Sequence, residues 1–187
     1  FLISELLIGE SLKQRLERCK LLDLDQTVRL FIPLCYALSE AHKFGVIHRD
    51  LKPDNLFLHK TEEEERLILI DFGIAKSMSD IHLTQTGQIF GTPHYMAPEQ
   101  IRESKEVTYH ADLYSLGVVL YETISGRRPF VGESLYDIFE EHIKGTPPSL
   151  TDLGLNKEGV FDPLIMRLLS KDPYRRPVSA REVALAL

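Results

Sequence analysis

Eight residues, HRDLKPDN from His48 to Asn55, place an imidazole, a guanidinium, two carboxylates, an ammonium and a terminal amide in one polar run directly after the apolar stretch FGVI. Carboxylate, ammonium and amide oxygen are the groups from which proton acceptance, anion neutralisation and hard-cation binding are built. The same residue types are ordinary in surface turns, so the run by itself leaves both readings open.

The elements on either side must decide whether these groups converge. With 187 residues and 43% hydrophobic content, the chain is long enough to bury a sizeable core as one domain or a large piece of one. Its net charge of -6 gives no reason to expect nucleic acid, and the run Glu62 to Glu65 reads as a solvated turn. Cys19 and Cys35 have no Cys or His at metal-ligand spacing; they read as reduced thiols in or near the core, which fits a reducing compartment. No apolar run reaches the ~18 residues needed to span a bilayer. FLISELLIGE lacks a basic leader, which argues against a signal peptide, and its abrupt apolar start suggests upstream sequence.

The pattern predicts a buried strand or extended connector over FLISELLI, closed by Gly9, then a short amphipathic helix over SLKQRLERC behind Ser11. A longer helix, QTVRLFIPLCYALSEAHKF, follows a cap at Asp25 and ends at Gly45, with Pro33 expected to kink it or distort a turn. LFLH from Leu56 and LILI from Leu67 read as a hairpin about the glutamate-rich turn. From Asp71 to about Glu99 the chain is rich in Ser, Thr, Gly and Pro, a length of loop that is commonly functional or disordered. ADLYSLGVVLYETIS is apolar on nearly all sides, as a central buried helix is. Further helices fit Ser134 to Ile143, Val160 to Leu169 and Val178 to Leu187.

HRDLKPDN is followed by DFG at Asp71 to Gly73 and by GTPHYMAPE at Gly91 to Glu99. With these three motifs in order, the chain resembles the eukaryotic-type (Hanks-type) serine/threonine protein kinases, most closely those of bacteria. The resemblance covers essentially the whole chain, from FLISELLIGESL to KDPYRRPVSAREV. It implies a mainly α, protein-kinase-like fold: the large C-terminal lobe with a short β-hairpin, the small N-terminal lobe almost entirely absent. Residues 1–10 would be the last small-lobe strand and hinge, and 11–187 the helical lobe.

The family's roles for these positions imply ATP and Mg²⁺ as cofactors and a protein Ser or Thr hydroxyl as acceptor. Asp50 resembles the aspartate that orients that hydroxyl and accepts its proton. Lys52 would neutralise the transferred phosphate, Asn55 and Asp71 would hold magnesium, and Thr92 would bond Asp50 and Lys52. His48 and Phe72 match structural positions under the loop, and Asp112 one that holds the loop's backbone. Glu99 and Arg176 look like the family's buried ion pair. Arg49 beside Asp50 resembles kinases switched by loop phosphorylation, and Thr84 and Thr86 match the threonines that bacterial relatives autophosphorylate, as within a kinase dimer; an unmodified loop is the alternative. At the hinge, Ser4 falls at the gatekeeper position, the Glu5 carbonyl and Leu7 amide face the adenine, Phe57 lies beneath it, and Ser11 faces the ribose.

The family's glycine-rich loop, strand lysine and helix glutamate have no match in these 187 residues. The implied partner is therefore a small lobe outside them, and the isolated polypeptide is expected to transfer phosphate poorly. The resemblance also implies a cytoplasmic domain, with tethering to a membrane's inner face by outside sequence left open. A kinase-like scaffolding module without catalysis and a small-molecule phosphotransferase are the competing readings. Asp50, Lys52, Asn55 and Asp71 weigh against the first and GTPHYMAPE against the second.

Overall fold

A computed structural model of the chain describes residues 5–71, 93–102, 107–155 and 159–187. The amino-terminal part is a three-stranded antiparallel sheet in the order β1 (Gly9–Ser11), β2 (Leu56–Lys60), β3 (Glu65–Leu69). The expected hairpin is therefore β2 and β3, paired from Leu56 with Leu69 to Lys60 with Glu65, and a third strand lies on its other edge. Gly9 opens that strand and does not close one: its φ is +147°, and a Cβ there would meet the Leu58 carbonyl oxygen at 1.9 Å. Only glycine fits so close a cross-strand approach.

Ser11 ends β1 and caps α1 (Leu12–Cys19). Its hydroxyl accepts from the Gln14 amide at 3.2 Å while the Gln14 side chain accepts from the Ser11 amide at 2.8 Å. This reciprocal pair satisfies two helix-end donors. Ser11→Ala is expected to cost about 1 kcal/mol of stability, measured by urea unfolding; an unchanged midpoint would show that the cap is idle.

α2 (Leu24–Lys43) starts two residues earlier than expected, because Asp23 and not Asp25 accepts from the Gln26 amide, at 2.7 Å. It runs without a break through Pro33, where a kink or distorted turn was expected. Leu30, Phe31, Leu34 and Cys35 are all buried around the proline, and this packing holds the helix where an isolated one would lose a turn. Cys35 is deep in the core, and burial pushes its thiol up to about 12. Cys19 is exposed, against the expectation of a near-core site: it is the last residue of α1, at the open end of the face that buries Leu12 and Leu16.

α4 (His110–Ser125) is the central post, with buried residues on every face. α6 (Asp162–Leu168) crosses it closely at Gly117, where a Cβ would lie 2.6 Å from that of Leu168. α3 (Pro98–Ile101), α5 (Leu135–Lys144) and α7 (Ala180–Ala186) complete the helical layer, α7 packing on α2. α5 and α7 begin behind Ser134 and Ser179, whose hydroxyls accept from Asp137 and Glu182 amides. The observed architecture is mainly helical with one small sheet. Among the described residues no helix is long and apolar enough to cross a membrane.

Candidate active site

The polar run of residues 48–55 lies between α2 and β2, and one buried carboxylate grips its first turn. Asp112, on α4 and fully buried, accepts from the backbone amides of His48 and Arg49, each at 2.8 Å. The loop is thereby fastened to the central buried helix, and Arg49 takes a left-handed φ of 64°. The His48 ring is wholly buried, lies 3.1 Å from the Ile70 carbonyl through Nε2 and accepts from the Asp50 amide through Nδ1 at 3.3 Å. Both contacts are satisfied by the Nε2–H tautomer, which ties the run to the chain just after β3. His42 Nε2, 2.8 Å from Asp112, braces the same carboxylate from α2. Sequence reasoning missed His42; its place one turn before Gly45, near the polar run, was the available signal.

The charged groups then converge. Lys52 Nζ is 3.0 Å from Asp50 Oδ2, with about one sixth of each side chain exposed (16% and 17%). Asn55, in a 3-10 turn over Pro53–Asn55, donates its amide to the Asp50 carbonyl at 2.8 Å and to Asp50 Oδ2 at 3.2 Å. The Asn55 carbonyl in turn accepts from the Ile70 amide at 3.0 Å, which brings the start of β2 beside Asp71. Asp71 is exposed and holds a left-handed φ of 54° at the end of that path. Asn55 and Asp71 are thus neighbours through the backbone although sixteen positions separate them in sequence. Lys13 on α1 also pairs with Asp54, at 2.8 Å, a surface contact that steadies the turn.

Around the preceding strand, His59 is the side chain that organises residues 5–8. Its Nδ1 lies 3.0 Å from the Ile8 amide and 3.1 Å from the Ile8 carbonyl, and its Nε2 lies 3.9 Å from the Glu5 carboxylate. Glu5 is exposed and Leu7 half-buried. Phe57 sits on the sheet face opposite the fully buried Leu56 and Leu58, with its ring 3.3 Å from where a Cβ at Gly9 would be. Strand alternation sends it to that face. The Ser11 hydroxyl is engaged with Gln14 at the start of α1.

On the other side of the loop, Gln100 of α3 donates to the Arg49 carbonyl at 3.1 Å, a link that no sequence signal marked. Glu99, one residue earlier, makes a bidentate pair with Arg176 at 2.6 and 2.9 Å. Arg176 is 2% exposed and also donates to the His110 and Ser170 carbonyls. Its guanidinium lies over the Tyr114 ring, 4.9 Å from the centroid. Ser4, Phe72, Thr84, Thr86 and Thr92 lie outside the described residues. Among the described residues no group of three or more His, Cys, Asp or Glu stands ready for a metal. The Asn55 amide, just before β2, and the Asp71 carboxylate, just after β3, are instead a sparse oxygen set, the kind that suits magnesium completed by waters and phosphate.

Beneath α3 and α5 the Tyr114 hydroxyl bonds His142 Nδ1 at 3.0 Å. Burial, and then the charge of Lys171, push His142 down to about 3, and burial also lowers His94 and His110. The unfolded chain takes up these protons near pH 6.5 and the folded chain resists them, so stability falls as pH drops from about 6.5 towards 3. For His142 alone the loss reaches about 2 kcal/mol at pH 5. Urea unfolding of wild type and His142→Gln at pH 7.5 and 5 is expected to show the wild type losing more; parallel losses would remove His142 from the account.

The chain belongs to the protein kinase domain family, whose sequence profile, described as "Protein kinase domain", matches residues 1–185. Within it the similarity is to Hanks-type serine/threonine kinases of bacteria. The chain is 39% identical over its whole length to the serine/threonine-protein kinase PknA of Corynebacterium glutamicum, of which it spans 38%. It is 38% identical to the serine/threonine-protein kinase pkn3 of Myxococcus xanthus, 96% of this chain matching 34% of that one. The fold matches the crystal structure of the Mycobacterium tuberculosis PknI kinase domain with a TM-score of 0.72 and 25% identity, over 97% of this chain and 62% of that one. The chain therefore spans little more than a third of those curated relatives.

Proposed function

We propose that these residues are the hinge (1–10) and large lobe (11–187) of a serine/threonine protein kinase that transfers the ATP γ-phosphate to protein Ser or Thr hydroxyls. The observation that carries this reading is the meeting of Lys52 Nζ and the Asn55 amide on the one carboxylate of Asp50, in a loop held by Asp112. In phosphoryl transfer the protein mainly positions reactants and neutralises charge. Asp50 accepts the proton of the acceptor hydroxyl and orients it. Lys52, held beside that carboxylate, meets the negative charge of the phosphoryl group. Asn55 spends its amide hydrogens on Asp50, so its Oδ1 is the oxygen that would hold Mg²⁺, and Asp71, just after β3, would supply a second oxygen. MgATP, when bound, would supply the phosphoryl group and the metal charge that offsets its negative oxygens.

By the family's pattern, Thr92 would bond Asp50 and Lys52. Glu5, Leu7 and Phe57 receive the adenine, and Ser11, as the helix cap, sits at the ribose edge. Arg49, whose side chain is exposed, offers a guanidinium to a phosphorylated loop. Phosphopeptide mapping of the active full-length enzyme is expected to find phosphate on Thr84 or Thr86; an active enzyme bare at both would refute that part. No G-x-G-x-x-G run occurs in these 187 residues, so the isolated polypeptide is expected to be weak or inactive and to need a small lobe. The deciding experiment is Mg²⁺-dependent transfer of phosphate to protein Ser or Thr by the full-length protein, abolished in Asp50→Asn. A protein that binds partners but transfers nothing would be a scaffold.

A further inference from the structure

Arg49 has a φ of +64°, a backbone conformation that arginine keeps only when its surroundings hold it there. Both sides of the residue are held, each from a helix distant in the sequence. Its amide donates to Asp112 Oδ1 of α4 at 2.8 Å, and its carbonyl accepts from Gln100 Nε2 of α3 at 3.1 Å. α3 and α4 are themselves tied together by Arg176, which pairs with Glu99 and donates to the His110 carbonyl at 2.7 Å. The path from Arg49 through Asp112, α4, Arg176, Glu99 and Gln100 therefore returns to Arg49 and closes on itself. The Arg49 carbonyl shares a peptide plane with the Asp50 amide, so the group that holds this carbonyl also sets the direction in which Asp50 leaves the backbone.

We propose that Gln100 is a positioning residue for phosphate transfer: resting on the kinase reading above, it fixes the Arg49–Asp50 peptide and, through it, the carboxylate that accepts the hydroxyl proton. Its side-chain amide makes two bonds. Oε1 accepts from the Ala97 amide at 2.9 Å, at the start of α3, while Nε2 donates to Arg49. These partners settle the orientation of the amide, since a flip would set donor against donor and acceptor against acceptor. For the helix start alone, glutamate would serve equally well at this third position of α3. The bond to Arg49 is what calls for a donor, and an ionised glutamate has none.

The geometry around Asp50 makes this hold matter. Asp50 Oδ2 meets Lys52 Nζ at 3.0 Å and the Asn55 amide at 3.2 Å. Pivoting of the Arg49–Asp50 peptide swings the carboxylate away from both, and a misplacement of about 1 Å is enough to slow a reaction on the order of 10²-fold. The left-handed φ of Arg49 supplies the tendency to pivot: released at its carbonyl, the residue relaxes towards negative φ. Asp112 still holds the Arg49 amide in that case, so losing Gln100 is expected to cost about what one neutral hydrogen bond contributes, roughly five- to tenfold in rate.

The test measures kcat and KM for ATP in the full-length protein carrying Gln100→Leu or Gln100→Glu, with a urea unfolding curve for each and hydrogen exchange across residues 48–55. Gln100 is half-buried, so both variants should fold. Gln100→Leu is expected to lower kcat about five- to tenfold with KM for ATP within about twofold of wild type. It should also speed exchange at the Asp50 amide by about threefold or more while the amides of α4 stay slow. Gln100→Glu should bring the unfolding midpoint back towards wild type, because it keeps the Ala97 bond, yet leave kcat as low as Gln100→Leu; a capping role alone would restore both. An unchanged kcat or an unchanged Asp50 exchange rate in Gln100→Leu, or a wild-type kcat in Gln100→Glu, would each overturn the proposal, and the kinase reading would stand as long as Asp50→Asn still abolishes transfer. A full-length wild type that transfers no phosphate would overturn that reading and this proposal together.

Discussion

Asp50→Asn is expected to lower kcat for phosphate transfer to a protein substrate by about 10²- to 10⁴-fold in the full-length enzyme, with KM for ATP little changed. The substitution is isosteric and keeps a hydrogen-bonding head, so the 3.2 Å contact with the Asn55 amide and the fold around it have little reason to move. What goes is the charge: the side chain can no longer accept the hydroxyl proton or pair with Lys52, 3.0 Å away. An effect on kcat without an effect on ATP affinity separates a group acting on the acceptor from one that holds the nucleotide. Steady-state kinetics with both substrates varied, alongside an unfolding curve for each protein, makes the distinction. Near-wild-type kcat in Asp50→Asn would remove the carboxylate from the chemistry and leave the loop a structural feature.

Arg176→Ala is expected to destabilise the domain by about 3–5 kcal/mol, the largest stability effect of any single change considered. Arg176 is 2% exposed, and its removal strands Glu99 next to the backbone carbonyls of His110 and Ser170 that the guanidinium served. It also leaves the Tyr114 face uncovered. Arg176→Lys should recover only part of the loss, because an ammonium cannot make the two parallel bonds of 2.6 and 2.9 Å to Glu99. Arg176→Met combined with Glu99→Leu should be milder than either single change, since the cost lies in the unpaired buried charge more than in the missing attraction. Urea unfolding of the wild type and these five variants orders them; a loss below about 1 kcal/mol in Arg176→Ala would mean that water reaches the pair.

The sequence by itself determined the class of protein and the list of groups that chemistry needs. Asp50, Lys52 and Asn55 fall within one turn of each other, and local spacing is enough to bring such residues together. The helices were legible for the same local reason, since their caps, Ser11, Ser134 and Ser179, and their apolar periods are written in neighbouring residues. In places packing overrides local propensity. Pro33 stays in an unbroken α2 because buried neighbours surround it, and Gly9 begins a strand because its partner is more than forty residues away.

Only the tertiary structure decided how the site is held. Asp112 reaches His48 and Arg49 across sixty-odd residues, His42 braces Asp112 from α2, Gln100 grips Arg49 from α3, and His59 organises residues 5–8. Each depends on where two distant backbones meet, and no periodicity or spacing encodes that meeting. The surroundings of Lys171 are the same kind of fact: its Nζ lies over the rings of Phe130 and Tyr114, both far from it along the chain. Identity and spacing along the chain fix which groups are present; the dielectric and the partners that give each group its strength arise only when the core closes around them.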